Sequence, residues 1–98
     1  MKGDDDSIDR REVSPDYLKV LRVPLVRGRM LTAQDQDGAL DVVLINETAA
    51  RKYWPGADPI GQRVKIDKKN RMVVGIVADI RHFGPETPPR QECYIPLA

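Results

Sequence analysis

Cysteine is nearly absent from this chain of 98 residues: Cys93 stands alone, so no internal disulfide can form and thiol pairing gives no information about redox compartment. Histidine is as scarce. With His82 alone no His–His zinc pair exists, and His82 with Cys93 supplies two soft ligands where a structural zinc takes four. The aromatics are Tyr17, Tyr53, Trp54, Phe83 and Tyr94, so aliphatic side chains must fill most of a core that, at this length, is modest. No sign of charge dominates: 16 basic and 15 acidic residues leave a net charge of +1, which predicts no strong global attraction to nucleic acid or anionic lipid. No apolar run approaches the ~20 residues of a membrane span, and the charged start lacks the apolar segment of a signal peptide. As given, the chain reads as soluble, and work outside the cytoplasm requires targeting by something other than these residues.

The motifs of common enzyme chemistry are missing too. Neither a Walker-type glycine loop nor a dinucleotide glycine fingerprint is present, so ATP binding by those routes is excluded. Asp35-Gln36-Asp37-Gly38 begins like a calcium loop but lacks the later glycine and the distal glutamate, and reads as a polar turn. The acidic block Asp4-Asp5-Asp6 reads as solvated chain. A Cys93–His82 nucleophile pair is weak, because nothing near Cys93 signals a lowered thiol pKa; Cys93 reads as a small core residue. Asn46-Glu47-Thr48 matches a glycosylation acceptor, but Asn46 serves better as a helix N-cap. We therefore expect no catalytic residue, no metal and no cofactor: the residues read as a domain that is not an enzyme.

What is present is a succession of short elements. Residues 1–12 hold little that is apolar and read as frayed; residues 13–98 make one domain. Ser14-Pro15-Asp16 starts a helix, with the serine oxygen as cap and Tyr17, Leu18 and Leu21 on one face, ending at Pro24. Residues 25–29 form a short extended piece closed at Gly28. The run 41–45 is apolar on successive residues, as in a strand covered on both faces. Asn46 then caps a helix of about two turns whose inner face is Ala49, Ala50, Tyr53 and Trp54, stopped by Pro55-Gly56. A turn through Pro59 and Gly61 leads into residues 62–67, whose alternation marks a half-exposed strand. Residues 71–77 form its apolar hairpin partner, and residues 92–97 a last strand with Pro96 at an edge or end. Grouped strands and two short helices predict an α+β fold, a small β-rich mixed sheet.

Within the hairpin, Arg63, Lys65, Lys68, Lys69 and Arg71 crowd together with only Asp67 opposing them. A β-ribbon with such a face can grip phosphates, which gives an alternative function: a free-standing anion or nucleic-acid binding module. The competing reading is a solvated face whose charges keep an edge from aggregating. No aromatic interleaves the charges for base stacking, which favours the solvated face, so nucleic acid is not expected.

Taken in order, Val13-Ser14-Pro15-Asp16-Tyr17-Leu18, Pro24-Leu25, Gly28-Arg29, Ile45-Asn46-Glu47, Tyr53-Trp54-Pro55-Gly56, Asp58-Pro59-Ile60-Gly61, residues 73–77 with Asp79, Arg81 and His82, then Pro88-Pro89-Arg90 and Tyr94-Ile95-Pro96-Leu97 resemble the central segment of MacB-like periplasmic core domains of ABC transporter permeases. The resemblance covers residues 13–98, and the ordered set is more specific than any one piece. It implies a non-catalytic extracytoplasmic domain, similar to the β-rich subdomain called Sabre in macrolide exporters. Its implied partners are the rest of a permease chain with its transmembrane helices, a periplasmic adaptor or a substrate, and an ATPase on a separate domain. Tyr17, Gly28, Asn46, Trp54, Pro55, Gly56, Pro59 and Gly61 then carry structural jobs, and the loops at 32–40 and 83–91 are candidate contact surfaces. Relatives place glycine where this chain has Arg22, so a different helix exit is expected here.

Overall fold

A computed structural model describes residues 8–14, 16–32, 41–66, 69–80 and 89–96. These form a mixed sheet of six strands, β1 (Asp9–Val13), β2 (Leu25–Gly28), β3 (Val42–Asn46), β4 (Arg63–Ile66), β5 (Lys69–Val77) and β6 (Glu92–Pro96), with helices α1 (Tyr17–Val20) and α2 (Glu47–Tyr53). The strand order is β1-β6-β3-β5-β2, with β4 also paired to β5. β3 runs parallel to β5 and antiparallel to β6, and β1 runs parallel to β6. Because β3 occupies one edge of β5 from Met72 to Val77, β4 and β2 must share the other, β4 against residues 69–72 and β2 against residues 75–77. The α+β expectation is met.

Alternation along the strands divides the core. Val43, Ile45, Val64, Ile66, Val73, Ile76, Cys93 and Ile95 point to the face covered by Ala49, Tyr53 and Trp54. Val42, Leu44, Val74, Val77 and Tyr94 point to the other, covered by Tyr17, Leu18, Val23 and Leu31. All five residues of β3 are buried, as a strand covered on both faces requires. β4 follows the alternation, with Val64 and Ile66 inside and Arg63 and Lys65 outside. Cys93 is fully buried, the core position its sequence context suggests.

Four expectations are corrected. Residues 9–12, read as frayed, are strand: β1 pairs with β6 from Asp9↔Glu92 to Val13↔Pro96, and Ile8 and Val13 are buried against opposite faces. The buried strand β6 needs a hydrogen-bonding neighbour on its second edge, and two well-spaced aliphatic residues suffice to anchor one. Ser14 does not cap α1 with its hydroxyl; Asp16 is the N-cap, without a side-chain cap bond, and the Ser14 carbonyl accepts the Tyr17 N–H at 3.1 Å. Leu21 is 45% exposed, since a single helical turn cannot carry an apolar face as far as its own C-cap. The strand expected over residues 71–77 begins two residues earlier, at Lys69, and the ladder with β4 reaches Ile66↔Lys69.

The exit from α1 is a fifth. A different route was expected because Arg22 stands where relatives have glycine, yet Arg22 adopts φ +58°. The Arg22 N–H donates to the Lys19 carbonyl and the Val23 N–H to the Leu18 carbonyl, both at 3.0 Å. That double closure is a Schellman motif, and Val23 and Leu18 pack in the same cluster to support it. The left-handed conformation costs a non-glycine residue roughly 1–2 kcal/mol, which the two hydrogen bonds and the packing offset here.

The tightest backbone crossing is where β2 meets β5. Gly28, at φ +79°, pairs with Gly75; a Cβ on Gly28 falls 2.2 Å from the Val74 carbonyl oxygen, and one on Gly75 falls 2.3 Å from that of Arg29. Gly28→Ala and Gly75→Ala are each expected to lower the unfolding free energy by about 2–3 kcal/mol through overpacking, with backbone strain added at Gly28. Gly56→Ala, at φ +75° with nothing within 4 Å, loses only about 1 kcal/mol. Urea denaturation midpoints of the three variants check the ranking.

Candidate functional site

At the centre of the molecule is a buried amide. Asn46 ends β3 with extended geometry (φ −87°, ψ 172°) and caps α2, as its place before a helical run predicts. Its Oδ1 accepts the Ala49 N–H at 2.9 Å and the Glu92 N–H at 3.1 Å, while Nδ2 donates to the Arg90 carbonyl at 2.7 Å. One fully buried side chain therefore joins β3, the start of α2 and the lead into β6. From beyond β5, Asp79 accepts the Thr48 N–H at 3.0 Å and lies 3.5 Å from Arg51, so a carboxylate joins the Asn46 amide at the same helix end. Arg51 also reaches Glu47 at 4.0 Å, the helical pair expected from spacing.

A second polar group lies under β1. Glu92, 2% exposed, accepts a 2.6 Å hydrogen bond from the Tyr94 hydroxyl, two residues along the same face, and faces the Arg11 guanidinium at 3.3 Å. Burial, then the bond to Glu92, pushes the Tyr94 phenol well above its ordinary range. Arg11, Asp79, Glu92 and Tyr94 received no such role from sequence. An acid at the head of the apolar run 93–95 is the one signal that marks the place, since a buried carboxylate requires a partner.

The motif residues Trp54, Pro55, Gly56 and Pro59, read as purely structural, also line an open groove of about 470 Å³ on the α2 face. Ile76 and Ala50 contribute apolar surface, and Arg27 of β2 and Arg51 of α2 flank it. Arg27 is held by Asp58 at 2.8 Å, whose other oxygen accepts the Ile60 N–H in the turn. Trp54 meets Tyr53 edge to face at 6.3 Å. The groove is thus an apolar trough with ion-paired arginines at its margin.

The basic hairpin does not make one face. Arg63 is opposite Met72 and Lys65 opposite Asn70, whereas Arg71 is opposite Val64 and Lys69 opposite Ile66. Cross-strand partners share a face, so Arg63 and Lys65 project to one side and Lys69 and Arg71 to the other, the side on which Val64 and Ile66 are buried. Arg71 Nε is buried without a hydrogen-bond partner. The four described cations therefore do not share one face; Lys68 lies outside the described residues. So do His82, Asp35 to Gly38, Asp4 to Asp6 and most of the two candidate contact loops, of which Thr32 and residues 89–91 are described.

The fold defines a class, since periplasmic and extracellular regions of transport proteins share it. The periplasmic region of MacB from Actinobacillus actinomycetemcomitans superposes with a TM-score of 0.74 at 26% identity, covering 89% of this chain and 36% of that one. The extracellular domain of the noncanonic ABC-type transporter YknZ from Gram-positive bacteria shares the fold, with a TM-score of 0.73 at 20% identity over 91% of this chain and 43% of its own. The chain belongs to the MacB-like periplasmic core domain family, whose model matches residues 2–98. Relatives include the macrolide export ATP-binding/permease protein MacB of Aggregatibacter actinomycetemcomitans, 31% identical over 68% of this chain. A probable syringafactin export ATP-binding/permease protein, SyfD of Pseudomonas syringae pv. tomato, is 37% identical over 72% of it. The chain spans 10% and 11% of those two relatives' length. No helix among the described residues is long and apolar enough to cross a membrane.

Asn46→Ala removes three hydrogen bonds and leaves buried backbone groups unpaired; a loss of about 3 kcal/mol is expected in chemical denaturation, with faster hydrogen exchange at Ala49 and Glu92. Tyr94→Phe strips the buried Glu92 carboxylate of a charge-assisted donor and is expected to cost about 2 kcal/mol at pH 7. Tyr94 also sets an alkaline limit. Its folded-state pKa is raised, so its contribution is complete below the unfolded phenol's value near 10 and falls above it by up to about 1.4 kcal/mol per pH unit. Stability measured from pH 9 to 11 should lose that component of its slope in Tyr94→Phe.

Proposed function

We propose that this chain is a non-catalytic portion of the extracytoplasmic domain of a MacB/FtsX-like ABC transporter permease, which contacts a partner or substrate and passes conformational change between that contact and the rest of the permease. Family membership over nearly the whole chain carries the reading. The sheet supports it mechanically. Asn46 joins β3, α2 and the lead into β6 through buried hydrogen bonds, and Glu92 ties β6 to β1 through Arg11, so a push on one edge is transmitted and not absorbed. Its partners in this reading are the remainder of the permease with its transmembrane helices, an ATPase on a separate domain, and a periplasmic adaptor or a transported substrate. The β-rich architecture fits the Sabre subdomain. The hairpin's divided charge leaves the anion-binding alternative without a common face.

The test is labelling in cells. In the full-length protein, a cysteine placed at the exposed position Lys52 should react with a membrane-impermeant maleimide in intact spheroplasts, while buried Cys93 of the parent does not. Reaction only after lysis, or a reading frame that encodes no membrane span, contradicts the proposal.

A further inference from the structure

We propose that the outer edge of β2 is a docking site for an extended, acidic and apolar segment of a partner protein, bound by strand addition. The inference deepens the partner-contact reading. Among the described strands β2 ends the order, and all four of its residues are exposed. The exposed large hydrophobics among the described residues are Val20 (76%), Leu21 (45%), Leu25 (39%) and Val26 (47%), all within one stretch of seven positions. An open edge with adjacent exposed aliphatic side chains is a template for another strand.

The edge is equipped to read side chains on both sides. Leu25 pairs with Val77, which belongs to the face covered by α1, and Arg27 pairs with Ile76, which opens into the 470 Å³ groove beside Trp54 and Pro59. A strand added to β2 sends alternate side chains to the two faces, one set toward the groove and the other toward Leu25 on the α1 side. Main-chain bonds then supply affinity, and the groove supplies selection.

Charge selects the occupant. Residues 19–29 hold Lys19, Arg22, Arg27 and Arg29 and no acid, in a chain whose net charge is only +1; Asp58 already pairs with Arg27, so the basic excess rests on the other three. A second copy docked on this edge would bring two such basic stretches together at its rim, and like-charge repulsion opposes that. An acidic partner strand meets no such cost and gains complementarity at the rim.

The experiment titrates the 98-residue chain with a capped ten-residue peptide of alternating valine and glutamate, and with a valine–lysine version. Amide shifts centred on residues 20–28 are expected with the first peptide, and at least tenfold weaker binding with the second. Leu25→Ser combined with Val26→Ser, both at exposed positions, should weaken binding at least tenfold while leaving the denaturation midpoint nearly unchanged. Leu21→Ser, off the strand, guards against a folding defect in that variant. Absence of shifts at millimolar peptide, shifts centred on β1 or β4, equal binding of the lysine peptide, insensitivity to all these substitutions, or self-association of the chain through β2 would each overturn the proposal. Because the isolated chain is used, failure here is separable from failure of the maleimide experiment.

Discussion

The structure hangs on the burial of one amide. Asn46 stands where β3, α2 and the approach to β6 converge within hydrogen-bonding distance, and it is fully removed from solvent. Water cannot replace its partners there, so the Ala49 and Glu92 N–H groups and the Arg90 carbonyl must stay in place together. That requirement locates β6 beside β3, and β6 in turn provides the edge on which β1 pairs. The polar groups nearby extend the same logic: Asp79 completes the helix end, and Glu92 takes its charge partner from β1 and its neutral donor from Tyr94.

The opposite margin of the sheet is organised by the absence of side chains. Gly28 and Gly75 let β2 approach β5 more closely than any Cβ permits, and register irregularities lie on both sides of β5 near this point, between Val43 and Leu44 of β3 and between Leu25 and Arg27 of β2. Bulges twist and re-aim an edge. Here they leave β2 short, with Leu25 on the α1 face and Arg27 on the groove face. One side of the described sheet is consequently tied by buried polar bonds, and the other is exposed and apolar with a basic rim.

Much of the fold was legible because local pattern and tertiary environment agree. The unbroken apolar run in β3, the alternation in β4 and the asparagine before a helical stretch each have a single economical structure, and each took it. The frayed reading of residues 9–12 failed because the residues that hold β1 are far away in sequence: Gln91, Glu92 and the strand that follows. Arg22 shows the same limit from another side. Its type argues against a left-handed exit, yet the carbonyls of Leu18 and Lys19 and the packing of Val23 impose one.

By itself, then, the sequence determined the helices, every strand but β1 to within a residue or two at its ends, and, through its ordered turns and apolar runs, the family to which the chain belongs. Those depend on near-neighbour periodicity and on backbone preferences, which are written locally. Only the tertiary structure decided that the hairpin's cations divide between two faces, that Trp54, Pro55, Gly56 and Pro59 line a groove, and that Glu92 finds Arg11. These follow from register and strand order, which arise when segments distant in the chain compete to satisfy buried polar groups and fill the same core.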